Sequence, residues 1–178
     1  MMYRIEKVLN HNTVIAIHQD DHKEVLIMGK GVGFGRKVAE RIEVRPEDRL
    51  YSLQKYKERG GAKEIIKSIA PEFLELTNAV LDEAEKVLGK IDRMVLFPLA
   101  DHIAFAVKRI QNHEQISNPL TEDIRVLFHM EFKVAESIRP LLKKQFQIDI
   151  EDDEIGYVAL HIHSAIEDEK VSQAMQMA

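Results

Sequence analysis

The chain has 178 residues, of which 45% are hydrophobic and 31% charged, and its formal net charge of −5 is ordinary for a globular protein. It contains no run of about 18 apolar residues, and its first residues lack the apolar core of a signal peptide. A cytoplasmic protein without stable membrane insertion is therefore expected. The absence of cysteine excludes disulfides and thiolate metal sites.

Charge is unevenly distributed along the chain. Residues 1–55 contain ten lysine and arginine residues against eight aspartate and glutamate residues, whereas the remainder contains 15 against 22. The first segment is therefore slightly basic and the second acidic. This split indicates two parts with different functions, and the negative total argues against nucleic-acid binding by the whole chain.

Residues 1–55 are predicted to form a small antiparallel β-sheet. Stretches of strand length, rich in β-branched and apolar residues, alternate there with polar turn residues. These stretches are YRIEKVL, TVIAIH, KEVLIMG and RLYSL. Because a domain of about 55 residues buries little apolar surface, oligomerisation or docking is expected.

From about Tyr56 onwards the apolar residues recur with helical spacing, which predicts a helical bundle over residues 56–170. Pro140 is expected to kink or split the fourth of its helices. The five predicted helices are Lys57–Ile69, Pro71–Gly89, Leu96–Gln111, Glu122–Lys144 and Asp153–Glu167.

The stretch MGKGVGFGRK, residues 28–37, has a glycine at every second position and then two cations. The dinucleotide-binding fingerprint G-x-G-x-x-G would require a glycine in place of Phe34 or Arg36. The P-loop pattern G-x-x-x-x-G-K-[ST] is also absent. The stretch is therefore not favoured as a nucleotide-phosphate loop.

The same stretch offers groups that suit RNA. Glycines leave backbone that a large polar ligand can approach closely, and Lys30 and residues 36–37 supply cations for phosphate contacts. Phe34 suits stacking on an unpaired base, and the amides of Asn10 and Asn12 suit pairing with base edges. The alternative, which composition alone favours, is a glycine-rich hairpin with a solvated basic end and asparagines selected for turn geometry.

Two of the eight histidines lie in amphipathic helical contexts, His102 in LADHIAFAVKR and His161 in EIGYVALHIHSA. Three interpretations remain open. The first is half-buried histidines with satisfied ring nitrogens. The second is a metal site that combines these two with Asp101 and His163, although rings two residues apart on a helix point about 200° apart and H-E-x-x-H is absent. The third is phosphorylation, since a neutral imidazole is a competent nucleophile and the added charge can alter an interface.

In these residues the chain resembles the N-terminal part of a BglG/SacY-type transcriptional antiterminator, over essentially its whole length. KVLNHNTVIA and MGKGVGFGRK resemble the co-antiterminator (CAT) RNA-binding domain. LADHIAFAVKR and DEIGYVALHIHSA resemble the two histidine motifs of the first phosphotransferase-system (PTS) regulation domain. Four motifs in the same order are a specific signature of this family. The sequence ALHIHSA most resembles the glucose-system branch.

The resemblance implies a domain organisation and a mechanism. Residues 1–55 would form a dimeric RNA-binding domain, residues 56–170 a regulation domain, and residues 171–178 a linker toward a second regulation domain that this chain lacks. The RNA-binding domain would hold a leader-mRNA hairpin and so prevent terminator folding. The positions that the family uses on RNA are matched by Lys7, Asn10, Asn12, Gly29, Lys30 and Phe34. Family members often carry arginine where this chain has Lys30. Lysine keeps the positive charge but lacks the planar guanidinium group that makes bidentate contacts.

The resemblance also implies regulation by phosphorylation. His102 and His161 match the phospho-acceptor histidines of the family, whereas His163 is interpreted as a flanking residue. The sugar permease (enzyme II) would phosphorylate the domain when sugar is absent and so inactivate the protein, with HPr as a further candidate partner. Neither a cofactor nor catalytic activity is implied.

Two functions of other classes remain as alternatives. The first is a metal-dependent hydrolase that uses His102, His161 and Asp101. The second is a helical bundle for protein interaction whose β segment binds no RNA.

Overall fold

The computed structural model divides into two compact units, Met1–Glu75 and Leu76–Ala178. It describes residues 2–53, 62–114 and 116–166. Three predictions fall on residues outside these ranges: the domain boundary at residues 55–56, the start of the helix predicted from Lys57 and the linker 171–178. The last predicted helix ends at Ser164, three residues before the predicted Glu167.

The described residues of the first unit contain one antiparallel sheet of five strands, in the order β4-β1-β2-β3-β5. Four of the strands occupy the apolar stretches that the sequence predicted. The sequence did not predict the three-residue strand β4, whose charged ends leave only one apolar residue to mark it. The strands are β1 Met2–Asn10, β2 Thr13–His18, β3 Glu24–Met28, β4 Arg41–Glu43 and β5 Arg49–Ser52.

Irregular pairing of β1 decides which side chains share a face of the sheet. Ile5 pairs with Ala16, but Lys7 pairs with the next residue of β2, Ile15, so the alternation of faces shifts at this point. As a result Ile5 contributes to the core on one face while Lys7 lies on the opposite face. The core on the first face comprises Tyr3, Ile5, Val14, Ala16, Ile27, Val32 and Ile42.

Seven α-helices are found in the described residues. They are α1 Ala62–Ser68, α2 Pro71–Leu88, α3 Leu96–Gln111, α4 Thr121–Leu127, α5 His129–Ala135, α6 Ile138–Phe146 and α7 Asp152–Ser164. An antiparallel sheet followed by a helical domain confirms the predicted fold class. Helix α2 begins at Pro71 and ends before Gly89, whose φ of 85° closes the helix as the sequence predicted.

The predicted single helix Glu122–Lys144 is wrong, because the structure divides this segment into α4, α5 and α6. The breaks fall at Phe128 and at residues 136–137. The second break lies where Pro140 is expected to split the helix, because proline has no N–H to donate to the carbonyl four residues earlier, that of Glu136, and its ring crowds that carbonyl. Pro140 lies in the first turn of α6, where its missing N–H removes no intrahelical hydrogen bond.

Helix α7 is central to the second unit and packs against α3, α4 and α5. Its inward face includes the fully buried Ile155 and Ile162 together with Ala159. Gly156 lies on the same helix, where an added Cβ would be only 2.8 Å from Asn118 Nδ2. This close packing fixes the positions of the polar side chains that α7 carries along its edge.

Candidate nucleic-acid interface and histidine pair

The β1–β2 turn and the glycine-rich loop form one connected surface in the first unit. Backbone amides of the loop donate to the turn at three points. Gly29 donates to the Asn12 carbonyl at 3.0 Å, Gly31 to Asn12 Oδ1 at 2.8 Å, and Gly33 to the His11 carbonyl at 2.8 Å. Two segments nearly twenty residues apart in sequence are therefore held in a fixed relation.

The glycines of this loop fall into two classes. Gly31 and Gly35 have φ values of 72° and 69°, a region that side-chain-bearing residues rarely adopt. Gly29 and Gly33 instead allow close approach: an added Cβ would lie 1.9 Å from Asp48 Oδ1 at Gly29 and 2.3 Å from the Asn10 carbonyl at Gly33. The every-second-glycine pattern therefore reflects loop geometry, and Gly29 serves it by admitting Asp48.

Asn10 and Asn12 each use their side-chain oxygen inside the protein. Asn10 Oδ1 accepts from the backbone amide of Asn12 at 3.0 Å, and Asn12 Oδ1 accepts from Gly31. Because a backbone N–H must face an acceptor, these bonds also assign the oxygens. Both amide NH₂ groups remain available as donors for base-edge acceptors, with no protein acceptor among the described residues.

Phe34 is displayed at the tip of this surface. Its side chain is 67% exposed, and its ring meets the His11 ring edge to face at a centroid distance of 5.0 Å. Lys30 is also exposed. An exposed aromatic ring that is oriented by a neighbour provides a ready platform for a stacked base.

Arg45 and Asp48 support the loop from below, and sequence reasoning missed both. Arg45 Nη2 donates to the Lys30 carbonyl at 2.8 Å and to Asp48 Oδ1 at 2.8 Å. The Asp48 side chain is fully buried and also accepts from the Arg45 backbone amide at 2.9 Å. The sequence RPED carries a turn signal, but nothing in it indicates that these residues reach the glycine loop.

Lys7 is the one predicted RNA contact that lies apart from this surface. Val8 pairs with Val14 on the face that underlies Gly33, so its neighbour Lys7 lies on the other face. There Lys7 lines an open groove together with Glu24 and the α1 residue Lys63. The other five predicted contacts are gathered around the turn and the loop.

In the second unit, His102 on α3 and His161 on α7 face each other with ring centroids 5.1 Å apart. His102 Nε2 lies 3.2 Å from Glu154 Oε2, and Arg109 Nη2 donates to Glu154 Oε1 at 2.5 Å. Burial raises the pKa of the Glu154 carboxyl, but the hydrogen bonds from His102 and Arg109 and the charge of Arg109 outweigh it and hold that pKa below its ordinary value. Glu154 is therefore an ionised, acceptor-only group.

His161 is held by its own helix. Its Nδ1 lies 2.9 Å from the carbonyl oxygen of Tyr157, one turn earlier. Burial lowers the pKa of His161, and the neighbouring His102 lowers it further, against the opposing effect of the Tyr157 carbonyl. The ring is therefore neutral near pH 7 and retains a nucleophilic lone pair.

The structure separates His163 from this pair and gives it a partner of its own. Its Nδ1 lies 2.6 Å from Glu131 Oε2, and Phe128 stacks on its ring at 3.9 Å. Its Nε2 is buried without a partner. The His163 side chain thus bonds to α5, and its interpretation as a flanking residue stays a prediction.

The metal-site interpretation receives no support from the geometry. Within residues 2–53, 62–114 and 116–166, no group of three or more histidine, aspartate or glutamate side chains is arranged to hold a metal ion. Asp101, the proposed third ligand, is exposed on α3 beside His102. Across the same described ranges, no helix combines the length and apolar character needed to cross a bilayer.

Comparison with protein families identifies both units. Residues 3–60 match the model of the CAT RNA binding domain, and residues 75–165 match that of the PRD domain. A crystal structure of the CAT and PRDI domains of GlcT superposes with a TM-score of 0.78 at 30% sequence identity, covering 94% of this chain and 100% of that one.

Full-length relatives point in the same direction. An antiterminator of the glcA and glcB genes from Staphylococcus carnosus is 33% identical over 93% of this chain and 58% of its own length. Protein GlcT of Staphylococcus epidermidis is 30% identical over 91% of this chain and 57% of its own length. The chain thus spans somewhat over half the length of these relatives, and the family resemblance drawn from the four motifs is confirmed. The chain belongs to the BglG-type family of transcriptional antiterminators with CAT RNA-binding and PRD domains, a family of regulators rather than enzymes.

Proposed function

We propose that the first unit binds a leader-mRNA hairpin and that this binding prevents formation of an overlapping terminator. The observation that carries the proposal is the union of the β1–β2 turn with the glycine loop, which presents two amide donors beside an exposed Phe34. Lys30 adds a cation at the edge of the same surface. This combination suits unpaired bases flanked by phosphates, which is how proteins most often read RNA sequence.

Lys7, on the other face of the sheet, is assigned a phosphate contact at the margin of the same RNA. Residues 1–55 are proposed as the RNA-binding domain and 56–170 as the regulation domain, with the family matches over residues 3–60 and 75–165 in support. We also propose that the protein acts in the cytoplasm as a homodimer, since a small sheet alone buries little surface.

Regulation is proposed to act through His102 and His161. Each gains about two negative charges when phosphorylated, and the two rings lie only 5.1 Å apart beside the Glu154–Arg109 ion pair. Such a charge alters the contact between α3 and α7 that this ion pair holds. Because the named relatives are glucose antiterminators, the proposed phosphoryl donor is the glucose permease (enzyme II), with HPr as a second candidate.

The test is a titration of the chain with a hairpin of about 30 nucleotides at several salt concentrations, with a hairpin mutated in its unpaired bases as control. Tight, salt-dependent binding that distinguishes the two RNAs supports a specific reader, because phosphate contacts alone would bind both alike. Equal and weak binding to both hairpins would refute the proposal.

A further inference from the structure

His102 and His161 each commit one ring nitrogen to the protein, but not the same one. His102 uses Nε2, which faces Glu154, whereas His161 uses Nδ1, which faces the Tyr157 carbonyl. Both facing groups can only accept: Glu154 is ionised beside Arg109, and a carbonyl has no proton to give. The proton of neutral His102 is therefore on Nε2 and that of neutral His161 on Nδ1, so the two rings are held in opposite tautomers.

The nitrogen left over on each ring carries a lone pair, and its surroundings differ from those of His163, which bonds to Glu131 on α5. His163 Nε2 is among the buried side-chain atoms without a partner, but no atom of His102 or His161 is among them in the described residues. The atoms that carry the remaining lone pairs, His102 Nδ1 and His161 Nε2, belong to half-buried side chains and are not fully enclosed. His163 is closed to an incoming donor.

We propose that phosphorylation of this pair is regiospecific, at Nδ1 of His102 and at Nε2 of His161, with Glu154 as the positioning residue that fixes the choice at His102. This inference rests on the proposed function insofar as these two histidines are the residues modified. It adds which atom of each ring reacts and which carboxylate directs it.

The step balances at each ring. The Nδ1 lone pair of His102 forms a new N–P bond while the P–N bond of a donor phosphohistidine breaks, and the donor nitrogen takes back the bonding electron pair. The accepting ring becomes a phosphorylated imidazolium that keeps its Nε2 proton. Glu154 stabilises that positive charge through the existing hydrogen bond, as the Tyr157 carbonyl does for His161.

Electrostatics argues against the other nitrogen of His102. A phosphoryl group on Nε2 would displace the hydrogen bond to Glu154 and place a dianion against a carboxylate that is only 3% exposed. A phosphoryl group attached to Nδ1 instead projects from the ring away from Glu154 and leaves the hydrogen bond at Nε2 intact. Since hydrogen bonds to charged groups are among the stronger ones, we expect roughly a tenfold or greater preference for the Nδ1 isomer.

The first test reads the tautomers directly. Long-range ¹H–¹⁵N NMR spectra of the unmodified chain distinguish protonated from bare ring nitrogens, and His102→Gln and His161→Gln assign the signals. We expect the proton on Nε2 of His102 and on Nδ1 of His161. The same nitrogen protonated in both rings would overturn the inference.

The second test reads the product. Phosphoramidate transfers a phosphoryl group to histidine with release of ammonia and needs no PTS protein. In the His161→Gln chain we expect the Nδ1 isomer on His102, and in the His102→Gln chain the Nε2 isomer on His161, as identified by ³¹P NMR and isomer-selective antibodies. His163→Gln is the matched control and leaves both products unchanged.

Glu154→Gln tests whether Glu154 determines which nitrogen of His102 is modified. In this variant the amide oxygen would still accept from Arg109, and the NH₂ group would donate to His102 Nε2. The His102 proton would then move to Nδ1, and phosphorylation would shift from Nδ1 to Nε2. Nε2 modification of His102 in the unsubstituted protein, or no modification of either histidine, would contradict the inference. If phosphoramidate gives the expected isomers but phosphorylated PTS proteins transfer nothing, the proposed function fails while this assignment stands.

Discussion

Asn12 Oδ1 accepts a hydrogen bond of 2.8 Å from the backbone amide of Gly31, and this bond ties the β1–β2 turn to the glycine loop. The same side chain keeps its NH₂ group free to donate outward. One residue therefore fixes the shape of the surface with one atom and offers a contact to RNA with another. Substitutions can separate these two roles.

We expect Asn12→Asp to preserve the structure of the glycine loop but to weaken RNA binding. A carboxylate oxygen can still accept from Gly31, but the donor is gone and a negative charge faces the phosphates. The loss of one base-edge contact is worth about 1–3 kcal/mol, roughly ten- to hundredfold in affinity before repulsion is counted. Hairpin titration measures this loss, and hydrogen exchange of the loop amides should remain close to that of the parent protein. Asn12→Ala, which removes both atoms, should impair binding and loop protection together; equal loss of protection in the two variants would contradict the separation.

Gly33→Ala should damage the fold of the first unit more than Gly31→Ala. At Gly33 the added Cβ would lie 2.3 Å from the Asn10 carbonyl, whereas at Gly31 it meets nothing within 4 Å and only the φ of 72° is strained. We expect a cost of about 1 kcal/mol at Gly31 and about 2–3 kcal/mol at Gly33. Hydrogen exchange of the β1 and β2 amides measures both values locally. The opposite order of the two costs would show that strain, and not space, selects these glycines.

Phe34→Ala should weaken hairpin binding without destabilising the protein. The side chain is 67% exposed, so its removal should change stability by less than about 0.5 kcal/mol. Stacking of one base on an aromatic ring contributes about 1–3 kcal/mol. Val38, equally exposed at 67%, provides the matched control, and Val38→Ala should leave affinity unchanged. Comparable loss in the two variants would point to general surface effects rather than to stacking.

Acidification should destabilise the second unit through His161. Its pKa in the folded protein is lowered from the ordinary 6.5, so the unfolded chain takes up this proton at a higher pH than the folded one. The unfolded state therefore binds more protons below that value, and stability falls as the pH drops through and below 6.5. Urea unfolding followed by helical circular dichroism at about pH 7.5 and about pH 5.5 should show a smaller decrease for His161→Gln than for the parent protein. The exposed His129 is the control site. An equal effect of His129→Gln would show that the loss of stability at low pH is not caused by His161.

Local sequence patterns were sufficient to predict a β-sheet followed by helices. The β-branched stretches gave four of the five strands, and Pro71 and Gly89 marked the two ends of α2, because such signals act within a few residues of the backbone. The family resemblance assigned Asn10, Asn12, Lys30 and Phe34 to RNA contact, and the structure gathers these four around the turn and the glycine loop. Strand β4 and the break at Phe128 were missed, since no local signal marks them, whereas Pro140 indicated the break at residues 136–137.

The amino-acid sequence by itself determined the fold class and the family, because these depend on residue type and spacing, and it singled out His102 and His161 among the eight histidines. Only the tertiary structure decided which side chains meet. The shifted pairing of β1 places Lys7 on the face away from the glycine loop. Arg45 donates directly to the Lys30 carbonyl while it is paired with the buried Asp48. Glu154 lies 52 residues from His102 in sequence, yet its Oε2 lies 3.2 Å from Nε2 of that ring. Contacts of this kind join distant segments, and no local pattern of residues records them.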